Sequence, residues 1–298
     1  MSLLSFVKHP EHVAKLKVLR PAPPRKIGVP MIEAPRSNRY GLIGTAFDYL
    51  LRFEIERVAP HATTKPWATE WHLERPSIQG QAGPTAFLPR LRRLDAIVEA
   101  ARVAHKHYCD KRKTDRSDRE EIARHALRLA RLEPLYRGGF LDETNEAADE
   151  DLFREPEIVD VAEITALLAI VPIDEFQLDR KLILNPIFGR SSKQIGGADA
   201  DLVVGDLLID IKTTKKNSIE GHWLDQLLGY LLLARYERRH GLSFPEIEKL
   251  GFYFARHGFL WVRHVSEWVG HQQFTEIEKW FVATALERPP DDPVCPDR

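Results

Sequence analysis

Apolar positions recur at helical spacing from about Leu42 to Val58, where Ile43, Phe47, Leu50, Leu51, Phe53 and Ile55 supply most of one buried face. Pro60 ends that helix. Two further amphipathic helices are predicted within residues 91–133, RLDAIVEAARVAHKHY and SDREEIARHALRLARL. The second opens on Ser117 with Glu120 three places later, the spacing of a capping box. A strongly acidic stretch, Asp142 to Asp160, reads as a linker or a lid, and VDVAEITALLAIV predicts another helix after it. Residues 60–90 are Pro-rich and read as irregular, with Trp67 and Trp71 pointing to some packing. Residues 1 to about 40, rich in Pro, Lys and Arg, read as an extended arm with little regular structure.

From about Arg180 the pattern changes. KLILNPIF predicts a strand that stops near Pro186. GADADLVVGDLLIDIKTTKK, Gly197 to Lys216, predicts two strands joined by a two-residue turn at Gly205-Asp206. Asn217 to Glu220 repeats the capping-box spacing ahead of a helix, HWLDQLLGYLLLARYERRH. FYFARHGFLWVRHV predicts a second hairpin turning near His257-Gly258, and an amphipathic helix follows from about Ser266 to Glu287. This order predicts an α/β chain with one modest mixed sheet flanked by helices and a helical insertion. The expected division is an arm over residues 1–40, a core from 41–90 and 175–288, an insertion over 91–174 and a disordered tail over 289–298. No internal repeat is visible.

Composition narrows the classes. The chain has 298 residues, 43% hydrophobic and 29% charged, which are ordinary values for a globular protein. A net charge of −1 gives no global basic field, although a local basic groove suffices to hold nucleic acid. Cys109 and Cys295 are the only cysteines, too few for a disulfide framework and in no CxxC pattern. The opening apolar run is too short for a signal peptide and no stretch is long enough to span a membrane, so a soluble cytoplasmic protein without membrane partners is expected. There is no GxxxxGK[ST] or GxSxG motif, and the scattered histidines show no HExxH spacing and read as structural.

The hairpin carries the chemistry. With Gly205 and Asp206 as the turn, Val204 pairs with Leu207, Asp201 faces Asp210, and Asp199 faces Lys212. One face then carries Ala200, Leu202, Val204, Leu207, Ile209 and Ile211, a core face. The other carries Asp199, Asp201, Val203, Leu208, Asp210 and Lys212. Directly opposed like charges destabilise a strand pair. Solvent exposure or one raised pKa would relieve Asp201 against Asp210, and so would a divalent cation of the Mg²⁺ or Mn²⁺ type between them. Lys212 could then orient or deprotonate a water. Gln226 and Tyr230, four apart, share one face of the next helix. A second Asp-x-Lys, Asp179 to Lys181, lacks an opposing carboxylate and reads as chance.

GADADLVVGDLLIDIK followed by QLLGY resembles the PD-(D/E)xK nuclease superfamily, and within it the RecB-like exonuclease branch, whose pattern is G-x-x-D, (D/E)-x-K and Q-x-x-x-Y in order. The likeness covers residues 180–265 directly. It implies a restriction-endonuclease-like core, and a DNA exonuclease rather than a site-specific endonuclease. It makes Asp201 and Asp210 ligands of Mg²⁺ or Mn²⁺, with the Ile211 carbonyl a possible third. It gives Lys212 the water or the charged phosphate, and Gln226 and Tyr230 a positioning role. Asp199 competes for the first ligand position, and Asp201 is favoured because it faces Asp210. Related enzymes carry a G-x-x-x-H histidine on the first helix. Here Gly44 is followed by Asp48, either a ligand in its place or a surface residue, with Glu54 a weaker candidate. Two cysteines do not match the four of the iron–sulfur subtype.

Thr213, Thr214, Lys215 and Lys216 are candidate phosphate contacts, and Trp223 a candidate base-stacking residue that is as readily a packed one. DNA, single- or double-stranded with a free end, is the expected partner, with a helicase or other protein in trans. Repair, recombination and phage defence all use such chemistry. The competing expectations are a catalytically silent nucleic-acid-binding or assembly subunit of the same fold, and an enzyme acting on a small phosphorylated substrate.

Overall fold

The computed structural model describes residues 2–71, 84–138, 146–268 and 271–287, apart from positions 19, 21 and 25. In chain order the elements are α1 (Leu3–Lys8), α2 (Pro10–Lys17), α3 (Tyr40–Val58), β1 (Thr63–Thr64), α4 (Ala68–Trp71), α5 (Pro84–Cys109), α6 (Arg116–Gly138), α7 (Glu146–Phe153) and α8 (Ile158–Ala169). They continue with β2 (Leu182–Leu184), α9 (Gly189–Gln194), β3 (Leu202–Val204), β4 (Leu207–Lys212), α10 (Gly221–Arg239), β5 (Lys249–Phe254), β6 (Phe259–His264) and α11 (His271–Phe281).

The six strands form one mixed sheet in the order β1-β2-β3-β4-β5-β6. The pairs β1–β2 and β4–β5 are parallel; the other three are antiparallel. The hairpin register is the one the Gly-Asp turn dictates: Val204 pairs with Leu207, Val203 with Leu208 and Leu202 with Ile209. Gly205 sits at φ +58°, the conformation this turn needs and glycine tolerates best. Arg180 and Lys249 both pair with Asp206 at the tip, at 3.0 and 2.9 Å. The parallel β4–β5 pair needs a crossover, and α10 provides it.

Helices cover both faces of the sheet. On one side Leu182, Leu184, Leu202, Val204, Ile209 and Tyr253 pack with α3, α5, α6 and α8. On the other, Ile183, Val203, Leu208, Leu250, Phe252 and Phe254 pack with α1, α10 and α11. The face expected to be polar therefore has its own core, and Val203 and Leu208 are fully buried in it. Ala200 joins this second core instead of the Leu202 side. The β3–β4 ladder stops at Leu202, and the chain before it pairs with the segment after β2, with Asp199 opposite Ile187 and not opposite Lys212.

Several local expectations are corrected. The N-terminal segment is not an arm without regular structure: α1 and α2 bury Leu3, Phe6, Val7 and Leu16 against the second core. Gly229 of α10 makes room for them, since a side-chain carbon there would come within 2.7 Å of Leu3 Cδ1. The α5 helix begins at Pro84, inside the stretch read as irregular, because proline suits a first helical turn. Ser117 is not the cap of α6; Asp115, two residues earlier, exchanges backbone-to-carboxylate bonds of 2.9 and 3.0 Å with Asp118. The Asn217 box does not form either. Asn217 accepts from the Ile27 amide, and α10 starts after Glu220 without a side-chain cap. The C-terminal helix is regular over α11 and ends in a wider π-type turn, Val282–Leu286. The tail read as disordered lies outside the described residues, as does much of the start of the acidic stretch. Among the described residues no helix is long and apolar enough to cross a membrane.

Candidate active site

The site lies where β3 and β4 run under the start of α10. Asp210 and Lys212 share one face of β4. Asp210 is 4% exposed, and Lys212 Nζ lies 2.5 Å from its Oδ2. Asp201 is half-buried just before β3, and its Oδ2 accepts the Ile211 amide at 2.6 Å. That bond ties the first carboxylate to the strand carrying the second. The Ile211 side chain packs on the opposite face.

One turn of α10 completes the polar chain. Lys212 Nζ reaches Gln226 Oε1 at 3.5 Å, and Gln226 Nε2 donates to the Tyr230 hydroxyl at 2.8 Å. Tyr230 is buried and stacked on Phe188, with ring centroids 5.6 Å apart. The helical i,i+4 spacing of Gln226 and Tyr230 thus converts a rigid aromatic stack into a positioned amide beside the lysine. Trp223 packs its edge toward Phe252 and Phe254 and lies 5.5 Å under Lys212 Nζ, so it is part of the core wall.

Asp48 approaches from α3. A side-chain carbon on Gly44 would lie 4.0 Å from Thr213 Cβ, which sets this helix against the chain just after β4. Asp48 pairs with Arg52 at 2.8 Å, and Arg52, 5% exposed, also stacks over Tyr49. Burial works against the Arg52 guanidinium, but Asp48, Tyr49, Glu133 and Asp201 carry it above its ordinary pKa. Sequence reasoning missed Arg52; a buried arginine one helical turn after a candidate acid was the available signal. Glu54 is turned elsewhere, to Arg57 and Tyr108.

The crowding of acids has an electrostatic consequence. Burial, then the charges of Asp210 and Asp48, push the Asp201 carboxyl well above the usual carboxylate range, against the Ile211 amide and Lys212. Burial and the charges of Asp210, Asp201 and Asp199 push the Tyr230 phenol up as well. Four acids therefore act on one small volume. Cations gather on its rim: burial, then the charges of Lys8, Lys212 and Lys216, lower the His222 pKa against the charge of Glu220. Lys216 pairs with Glu220 at 3.0 Å and Lys215 lies over the Tyr40 ring at 5.3 Å. Thr214 Oγ1 accepts the Lys216 amide at 3.1 Å, while Thr213 is half-buried beside Gly44.

Compared with family models, with curated proteins and with solved structures, the chain matches none.

Proposed function

We propose that the protein is a metal-dependent deoxyribonuclease acting on DNA ends. The observation that carries this reading is the juxtaposition of Asp201, just before β3, with Asp210 on β4, with Lys212 against Asp210 and Gln226–Tyr230 behind the lysine. The donor set suits a hard divalent cation: the acids are oxygen ligands only, they repel one another, and Asp210 Oδ2 is buried with an ion pair but no aligned hydrogen bond. Asp201 and Asp210 would hold Mg²⁺ or Mn²⁺, with Asp48 close enough to add its charge. Such an ion lowers the pKa of water and offsets charge on a phosphodiester.

The chain's own residues have separate tasks. The Ile211 amide fixes the Asp201 oxygen. Gln226 and Tyr230 hold Lys212 at the acid pair, where its ammonium can orient a water or meet the phosphate. Lys8 and Lys216, on the same rim, offer positive charge to the flanking backbone, and Thr213, Thr214 and Lys215 line the chain between them and α3. The reading as exonuclease rests on the Q-x-x-x-Y likeness alone. A helicase or other protein in trans remains compatible with the insertion formed by α5 to α8.

The test is cleavage of end-labelled linear and closed circular DNA, single- and double-stranded, with Mg²⁺, Mn²⁺ or EDTA. Wild type runs beside Asp210→Asn and Lys212→Ala. Metal-dependent loss of linear forms only, absent in both variants, is expected. Cleavage of circles would make it an endonuclease. Folded wild type that binds DNA and cuts nothing would overturn the enzyme reading in favour of a silent binding subunit.

A further inference from the structure

A second cluster of metal-ligating side chains lies near the C-terminal ends of α3 and α5, away from the carboxylate site. His105 and Cys109 are four apart on α5 and share one face of it. Glu56 comes from α3, two helical turns beyond Asp48. His105 Nε2 lies 3.0 Å from Glu56 Oε2 and 3.2 Å from Cys109 Sγ. One oxygen, one nitrogen and one sulfur from these three residues all lie within 4.8 Å of one another.

This convergence places one ring nitrogen between a carboxylate and a thiol. Both short contacts run to the same ring nitrogen. If Nε2 carries the proton, it serves the Glu56 carboxylate, and the Cys109 thiol donates toward the Phe53 carbonyl at 3.9 Å instead. If it does not, its lone pair faces the carboxylate. A single ion at the centre would satisfy all three atoms at once. The distances allow it: tetrahedral zinc with ordinary bond lengths puts ligand N and S about 3.5 Å apart and N and O about 3.4 Å apart. The observed 3.2 and 3.0 Å need only a few tenths of an ångström of side-chain movement, and the sulfur and the carboxylate oxygen, within 4.8 Å of each other, close on the same ion. The ring is held for the purpose. It packs at 4.5 Å from the Phe53 ring and 5.6 Å from Trp67, both buried. Glu56 and His105 are 15% and 16% exposed at their side chains, leaving water access on one side.

We propose that Glu56, His105 and Cys109 form a zinc-type site that staples α3 to α5, with a water completing the coordination. The mixed sulfur, imidazole and carboxylate set favours Zn²⁺ or Co²⁺ over the Mg²⁺ or Mn²⁺ suited to an all-oxygen site. A cysteine binds a metal as its thiolate. Binding therefore releases the thiol proton to solvent as the sulfur–metal bond forms, and affinity rises with pH. The site does not depend on the nuclease reading.

The experiment is titration of the full chain with Co²⁺, followed by the thiolate-to-cobalt charge-transfer band in the near ultraviolet, and then displacement by Zn²⁺. One such band at one equivalent, bleached by Zn²⁺, is expected. Cys109→Ala should abolish it, while Cys295→Ala and Asp210→Asn keep it. His105→Ala should weaken binding by more than about 100-fold, beyond the effect typical of losing an outer partner. Glu56→Gln, which keeps size and hydrogen bonding, guards against loss of fold and should weaken binding with the melting temperature of the metal-free chain unchanged or raised. Wild type without the band at millimolar Co²⁺, or a band that survives Cys109→Ala, would overturn the proposal.

Discussion

Asp201 and Asp210 set a test of whether the acid pair is costly to the fold. Asp201 stands just before β3 and Asp210 on β4, each one residue beyond the last ladder pair, and residues so placed on adjoining strands have Cβ atoms about 5 Å apart. At that separation and an effective dielectric of about 20, two unit charges repel by about 3 kcal/mol. Asp201→Asn removes this repulsion and keeps an oxygen for the Ile211 amide. It also gives up some attraction to Lys212, so the net gain expected in EDTA is about 1–2 kcal/mol. For a chain of this size that raises the melting temperature by about 2–6 °C. Asp210→Asn should do the reverse, because Lys212 loses the partner 2.5 Å away. The pH dependence carries a sign. A carboxyl whose folded pKa is raised binds its proton more readily when folded, so its contribution to stability is present at acid pH and is lost as pH rises through the folded pKa. The advantage of Asp201→Asn over wild type should therefore be near zero below the ordinary carboxylate pKa and grow toward neutral pH. Thermal unfolding in EDTA from pH 4 to 8 measures this, and Mg²⁺ should then stabilise wild type more than either variant. An Asp201→Asn protein that melts at or below wild type at pH 7.5, or a gain independent of pH, would refute the electrostatic reasoning.

Three other outcomes are expected. Tyr230→Phe keeps the stack on Phe188 but strips Gln226 of its hydroxyl partner; stability should fall by about 1 kcal/mol, and cleavage by about tenfold or more if the Lys212 chain positions the reaction, read as kcat with KM unchanged. Arg20→Met removes the 2.7 Å partner of Asp225, whose carboxyl burial already pushes up to about 6 against that arginine; the cost should be about 2–3 kcal/mol by urea unfolding above pH 7 and should shrink as acid protonates Asp225. If DNA crosses the rim, Lys8→Ala and Lys216→Ala should each reduce the slope of log affinity against log salt by about one, measured by fluorescence anisotropy, whatever the DNA sequence.

The parts of the fold legible in the sequence are those set by local rules. The Gly205-Asp206 turn fixed the hairpin register over Leu202–Val204 and Leu207–Ile209, which brings Asp201 to the strand that carries Asp210. The 3.6 period located α3, α5, α6, α8 and α10. The burial of both sheet faces was harder to see, because three aspartates and a lysine mask the two apolar residues, Val203 and Leu208, that mark the second core. The short helices α1 and α2 were missed for a different reason: six- and eight-residue helices owe their stability to docking, not to propensity. Both capping boxes were misplaced because Asp115 caps one helix earlier and a distant amide, Ile27, claims Asn217. His105 and Cys109 showed helical spacing, but Glu56 lies 49 residues earlier than His105, and only the packing of two helices reveals the cluster.

The seat of α1 on α10 has a consequence for how the chain is made. Leu3 closes against Gly229, so α1 waits for a surface encoded 226 residues later. At ribosomal rates of roughly 5–20 residues per second, that interval is on the order of 10–40 s. Throughout it the apolar faces of Leu3, Phe6, Val7 and Leu16 have no native partner. A nascent chain with such a delay offers a chaperone its binding site early, and withdraws it only when α10 has left the exit tunnel.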